Sequence, residues 1–105
     1  MYRNKKLLRL AKGSPCMLNF PDICNHDDTT VVACHSNQQI HGKATSLKAN
    51  DCFFTFGCFE CHAELDSGKQ YSREDKVYFF ERGMAKTWLY LWESGKIQVC
   101  DDTGG

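Results

Sequence analysis

The sequence predicts a small α+β domain, stapled by zinc, with an N-terminal helix and a long C-terminal helix. Three observations predict it. The chain has 105 residues, 42% apolar and 25% charged. That suits one ordered domain over 1–105 whose core is small enough for a staple to matter. It carries seven cysteines, two of them in the knuckle Cys58-Phe-Glu-Cys61. In its last third, Val77, Phe80, Met84, Trp88 and Leu91 recur at steps of three or four, the period of an amphipathic helix.

The elements follow in order. Residues 1–12 form a basic arm. Within it Leu7, Leu8, Leu10 and Ala11 lie among basic residues, which predicts a short amphipathic helix over Asn4–Ala11. Gly13-Ser14-Pro15 ends it. Residues 16–66 form the zinc-binding core. There the β-branched stretch Thr29–Ala33 reads as a strand delivering Cys34 and His35 at its end. Ser36–Asn50 is polar and aperiodic, so it reads as a long loop, and such loops are often functional. Cys52–Phe56 is an aromatic strand, and Phe59–Asp66 a short helix ending near Gly68. The C-terminal helix spans 72–94. Ser72-Arg-Glu-Asp75 resembles a capping box, and Gly95 is the expected C-cap. Phe79, Ala85, Leu89 and Trp92 widen the apolar stripe. Base stacking is the competing reading of the two tryptophans, but helical spacing already explains them. Gly83 costs about 1 kcal/mol relative to Ala inside a helix, and its small size would allow close packing.

The cysteines decide the staple. An odd number without a visible signal peptide argues against a disulfide framework. C-x-x-C places two thiolates on one zinc ion. A redox C-x-x-C usually sits in a βαβ pattern, which this chain is too short to hold. Cys58–His62 also reads C-x-x-C-H, as in haem attachment, but no export signal accompanies it. Cys16 and Cys24 supply a second pair, with Pro21 and Asp22 able to turn the chain between them. Cys16, Cys24, Cys58 and Cys61 together would make a closed tetrahedral site. His26, two residues after Cys24, could replace a thiolate. Cys34, Cys52 and Cys100 are expected as small buried hydrophobes.

Charge is uneven. The net charge is zero, yet residues 1–12 hold five of the 13 basic residues (Arg3, Lys5, Lys6, Arg9 and Lys12) and no acid. Such an arm is a phosphate contact or a solvated helix face. No apolar run reaches the length of a membrane span, so no membrane partner is expected. With no secretory pattern visible, the expected location is the cytoplasm.

His62 and Asp66 project from one helical face at i, i+4. A solvent-facing pair is the default for that spacing, but the adjoining knuckle would fix both side chains. Such a pair can grip a divalent cation through nitrogen and oxygen. His35, brought opposite, could take a proton from water. This is the arrangement of a metal-assisted phosphodiesterase.

At these residues the chain resembles the ββα-metal, or HNH, nucleases with a treble-clef zinc site. The pattern is Ala33-Cys34-His35, then Asp51, then the run Cys58–Asp66. The closer resemblance is to small prophage-encoded nucleases of the YbcO type. It rests on the eight-residue step from Cys16 to Cys24, the segment Phe20–Asn25, the C-x-x-C-H-x-E-[IL]-D run and Gly83-Met84-Ala85. It covers residues 5–98. The resemblance implies that Cys16, Cys24, Cys58 and Cys61 hold structural Zn²⁺. It implies that His35 is the general base and that Asp51 fills the middle position orienting it, with Asn50 as the other candidate. His62 and Asp66 would bind catalytic Mg²⁺ or Mn²⁺. Many HNH enzymes carry a carboxylate just before the base histidine; here that residue is Cys34, and His41 in the loop could add a ligand. The implied partner is DNA in a bacterial host cell. Arg3, Lys5, Lys6, Arg9, Lys43 and Lys48 are the candidate phosphate contacts. The alternative is a non-catalytic zinc module holding DNA or a phage or host recombination protein.

Overall fold

The structure is a computed structural model and describes residues 1–100; of the domain expected over 1–105, residues 101–105 lie outside the described residues. The architecture is α+β. Its described elements are α1 (Lys5–Arg9), β1 (Val32–His35), β2 (Phe54–Gly57), α2 (Phe59–Ser67) and α3 (Arg73–Glu93), with 3-10 turns at Asp28–Thr30 and Gln39–His41. The two strands pair antiparallel, with Val32 opposite Gly57 and His35 opposite Phe54.

Local chemistry sets the boundaries. Asn4 caps α1 by accepting the Leu7 amide at 3.0 Å, and the helix is shorter than the apolar pattern predicts. The first strand begins later than expected. The Asp27 carboxylate accepts the Thr29 amide at 3.0 Å and its hydroxyl at 2.6 Å, which curls Asp28–Thr30 into a turn despite its β-branched residues. His35 therefore lies within β1, not beyond it. Ser72 caps α3 by accepting the Asp75 amide at 3.1 Å. At its other end Ser94 is the C-cap, and Gly95 follows at φ +73°. There the Gly95 and Lys96 amides close back on Trp92 and Leu91, a Schellman ending.

The core lies where α3 crosses the hairpin. Every residue of β2 is buried. The segment leading from Cys16 runs along it, with the Met17 and Leu18 amides both donating to the Phe56 carbonyl. Phe20, Phe54, Phe56, Phe80, Leu18 and Leu91 are fully or almost fully buried. The expected stripe of α3 holds for Phe80 and Leu91, and Thr87 joins it, its hydroxyl accepting the Phe56 amide at 3.1 Å. Ala85, Leu89 and Trp92 do not join it. They are exposed, because a two-stranded sheet covers one face of the helix and these residues stand on the next.

Gly83 is the crossing point. A Cβ there would collide with Thr55 Oγ1 and lie 3.0 Å from the Met17 carbonyl oxygen. Overpacking costs about 1–3 kcal/mol, more than the ~1 kcal/mol of helix propensity an alanine returns. Gly83→Ala should therefore lower the urea midpoint; an unchanged or higher midpoint would show that the crossing has slack.

Candidate active site and metal centre

Four cysteines converge where the Met17–Leu18 segment meets the start of α2. The Sγ atoms of Cys16, Cys24, Cys58 and Cys61 all lie within 4.8 Å of one another. Zinc–sulfur bonds of about 2.3 Å in a tetrahedron need sulfurs ~3.8 Å apart, so the cluster could hold a metal such as zinc. The turn foreseen at Pro21-Asp22 forms, with Asp22 at φ +63° and the Cys24 amide donating to the Phe20 carbonyl.

Backbone amides already point at the sulfurs. Asn19 N–H donates to Cys16 Sγ at 3.5 Å, Cys58 N–H to the same sulfur at 3.2 Å, and Cys61 N–H to Cys58 Sγ at 3.5 Å. Such bonds favour the thiolate, the form that binds metal. The hydrogen bond from the Cys61 thiol, with those amides, brings Cys16 down to about 5 against its burial. The hydrogen bond with Cys16 and burial push the Cys61 thiol up. His26 stands beside the cluster, its Nδ1 3.7 Å from Cys24 Sγ, while the four sulfurs make up a full donor set among themselves.

The remaining cysteines divide. Cys34 is fully buried as expected; burial and the nearby Asp66 charge push its thiol well up, which keeps it neutral. Cys52 is half-buried and Cys100 exposed, contrary to the expectation of burial.

A second constellation forms at the end of β1. His35 Nε2 lies 2.7 Å from Asp51 Oδ1, with the imidazole 17% exposed and the carboxylate 4%. Asp51 also accepts the Asn4 amide at 2.6 Å and Arg3 Nη1 at 3.2 Å. Burial opposes its ionisation, but the bonds from His35, Asn4 and Arg3 outweigh it and hold the carboxyl below its ordinary value. The resulting stability is full above about pH 4 and lost as pH falls through the depressed value. Of the two candidates for this place, Asp51 meets His35, whereas Asn50 accepts the Tyr2 amide and donates to the His41 carbonyl.

Arg3 differs from the other cations of the arm. Its guanidinium is spent on Asp51 and on the carbonyls of Lys48 and Ala49. Lys5, Lys6, Arg9 and Lys48 remain exposed, and Lys43 is half-buried.

The third pair is on α2. His62 Nε2 and Asp66 Oδ2 lie 3.0 Å apart, both side chains partly exposed. The Asp66 bond raises the His62 pKa. Burial opposes ionisation of Asp66, but the bonds from His62 and Asn37 and the charges of His62 and Lys43 hold its carboxyl down. Asn37 Nδ2 donates to Asp66 Oδ1 at 3.0 Å, so the loop leaving His35 returns to the helix carrying His62. Nothing in the local sequence singled out Asn37. Nor is Ser36–Asn50 structureless: it holds the Gln39–His41 turn and an Ala44–Leu47 bridge. His41, the candidate ligand of this loop, is turned inward. It is buried, stacked on Phe53 at 4.4 Å, with Nδ1 2.5 Å from Ser36 Oγ.

The same chain organisation recurs elsewhere. Two curated relatives are each 30% identical over 97 residues, covering 89% of this chain and 97% of theirs. One is "Putative nuclease YbcO" of Escherichia coli (strain K12) and the other "Putative nuclease ybcO" of Enterobacteria phage 82. A solved structure, described as that of "a putative bacteriophage protein from Escherichia coli str. K-12 substr. MG1655", matches with a TM-score of 0.60 at 28% identity, over 84% of this chain and 98% of that one. The family described as "Putative nuclease YbcO" matches residues 5–96, a span that includes all four clustered cysteines, both histidine–carboxylate pairs and the whole of α3. The chain belongs to the YbcO family.

Proposed function

We propose that this protein is an HNH-type endonuclease of phage or prophage origin, with a treble-clef zinc site, hydrolysing DNA phosphodiester bonds in the bacterial cytoplasm. The observation that carries the reading is the His35–Asp51 pair at the end of β1, joined through Asn37 to the His62–Asp66 pair on α2. The order β1, β2, α2 agrees with it, as do the relatives named as nucleases.

Asp51 is the positioning residue. With Nε2–H donated to the ionised Asp51, the imidazole lone pair of His35 stands on Nδ1, free to take a proton from water. Asp51 then stabilises the imidazolium. Asp66 and His62 offer one oxygen and one nitrogen 3.0 Å apart; Mg²⁺ or Mn²⁺ held there would stabilise charge on the phosphate and the leaving oxygen. Asn37 keeps Asp66 oriented. Lys5, Lys6, Arg9, Lys43 and Lys48 are left to contact phosphates.

The reading is tested on supercoiled plasmid with and without Mn²⁺. Wild type should nick it only with the cation. Asp66→Ala and His62→Ala should slow nicking, with part of the rate restored by excess Mn²⁺. Nicking by Asp66→Ala at the wild-type rate would sink the cation assignment. In a salt titration on duplex DNA, neutralising Lys5, Lys6 and Arg9 should flatten the slope of log K by about 0.9 per lost contact. Arg3→Ala should leave that slope unchanged and instead lower stability by about 1–3 kcal/mol through the lost bonds to Asp51 and to the Lys48 and Ala49 carbonyls together.

One observation favours a non-catalytic module binding DNA or a recombination protein: His62 and Asp66 stand at i, i+4 with both side chains partly exposed, the ordinary geometry of a surface helix pair. Under that reading wild type nicks nothing with either metal.

A further inference from the structure

A half-open groove of about 550 Å³ begins at Asp66 and Asn37 and runs on past side chains that the hydrolytic mechanism does not use. The turn carrying Gln38 and Gln39 forms one wall, Val77 and Phe80 of α3 the other, and Leu65 and Asp66 the inner end. Arg73, exposed at the start of α3, also lines it. So does Ile40, which is 84% exposed.

The turn that carries Ile40 is held in place. It closes on Gly42 in the left-handed conformation, φ +94°. The next residue, His41, is pinned by Ser36 and by stacking on Phe53. The His41 carbonyl accepts both the main-chain and side-chain amides of Asn50. Gln38 Nε2 donates to Glu81 Oε1 at 2.9 Å, tying the turn to α3. The buried Ser36–His41 contact thus has a use that neither metal binding nor catalysis gives it: it fixes Ile40 beside Asp66.

We propose that the groove receives one unstacked nucleobase of the DNA strand being cut, with Ile40 as the apolar wedge that keeps the stack open. The inference rests on the nuclease reading and names its substrate more closely. The chemistry of the walls fits a base. Leu65, Val77 and Phe80 match its apolar faces, and the Gln39 amide offers a donor and an acceptor to its edge, the Gln38 amide being held by Glu81. Arg73, with Lys43 acting on Asp66 from nearby, supplies positive charge for the flanking phosphates. The volume falls within the ~300–1,000 Å³ of small-ligand sites. An apolar peptide side chain would leave the Gln39 amide unpaired. Apolar side chains inserted between base steps unstack and kink DNA, and a base already outside the stack spares that cost.

The inference is tested by binding, without cleavage, in Ca²⁺ buffer, which spares the cysteine cluster from chelators. Fluorescence anisotropy compares a matched duplex with the same duplex carrying one extrahelical adenine. Wild type should bind the second about tenfold more tightly. Ile40→Ser and Gln39→Ala, both at exposed positions, should bring the ratio near one while keeping the near-UV circular dichroism of wild type and its affinity for the matched duplex. Equal binding of both DNAs by wild type, or a preference surviving both substitutions, overturns the inference. Nicking of plasmid by wild type without such a preference overturns it alone and leaves the nuclease reading standing. The preference without any nicking supports the groove and removes the nuclease.

Discussion

Replacing Cys58 or Cys61 by serine should leave the chain unfolded at 25 °C. Both sulfurs are fully buried at the junction of β2 and α2, and Cys58 is also the N-cap of α2. The sheet beneath has two four-residue strands, too little to hold a domain by itself. Structural zinc contributes about 10–16 kcal/mol in small peptides at pH 7, while whole domains are stable by about 5–15 kcal/mol. Loss of one ligand therefore removes a large part of the stability, and serine leaves a poorly bonded hydroxyl in its place. Far-UV circular dichroism and elemental analysis check this together. Wild type should carry one zinc per chain and melt cooperatively. A well-folded wild type free of zinc, or a Cys58→Ser variant melting with wild type, would remove the staple and with it the scaffold for α2.

The cysteine cluster was legible because its signal is local. C-x-x-C fixes the spacing of two sulfurs, and Pro21-Asp22 marks the turn that returns Cys24 toward Cys16. The helix α3 was legible for the same reason, through its period and its Ser72 cap. What escaped local reading depends on distant partners. Arg3 looks like one more cation of a basic arm, yet its acceptors lie 45–48 residues away. His41 looks like a spare ligand until Ser36 and Phe53 close on it. Thr29 and Thr30 have strand propensity, but the Asp27 side chain captures them first. Leu89 and Trp92 continue the apolar count of α3, and only the width of the sheet leaves them in water. The pairing of His35 with Asp51 came from resemblance, not from spacing. In space it depends on the strand pairing that sets His35 opposite Phe54 and on the N-terminal segment that closes over Asp51.

The replacement His35→Ala should lower DNA cleavage by roughly 10²–10⁴-fold, the usual worth of a general base, while zinc content and melting temperature stay close to wild type. The two halves of that expectation have separate causes. His35 projects from β1 with its imidazole partly exposed, so its removal opens no large cavity. Asp51 keeps the Asn4 amide and Arg3 as partners, so no buried charge is left unpaired. What disappears is the Nδ1 lone pair that takes the proton from water. Excess Mn²⁺ should not restore the rate, in contrast to Asp66→Ala, because a cation does not replace a proton acceptor. Asp51→Asn should lie between wild type and His35→Ala: the base remains, but its tautomer is no longer fixed and the imidazolium loses its counter-charge. The protein is purified away from host nucleases, and plasmid nicking is followed with Mn²⁺ for wild type and the variants. If wild type and His35→Ala nick at the same rate, the cleavage does not come from this histidine, and the pair at the end of β1 serves the fold alone.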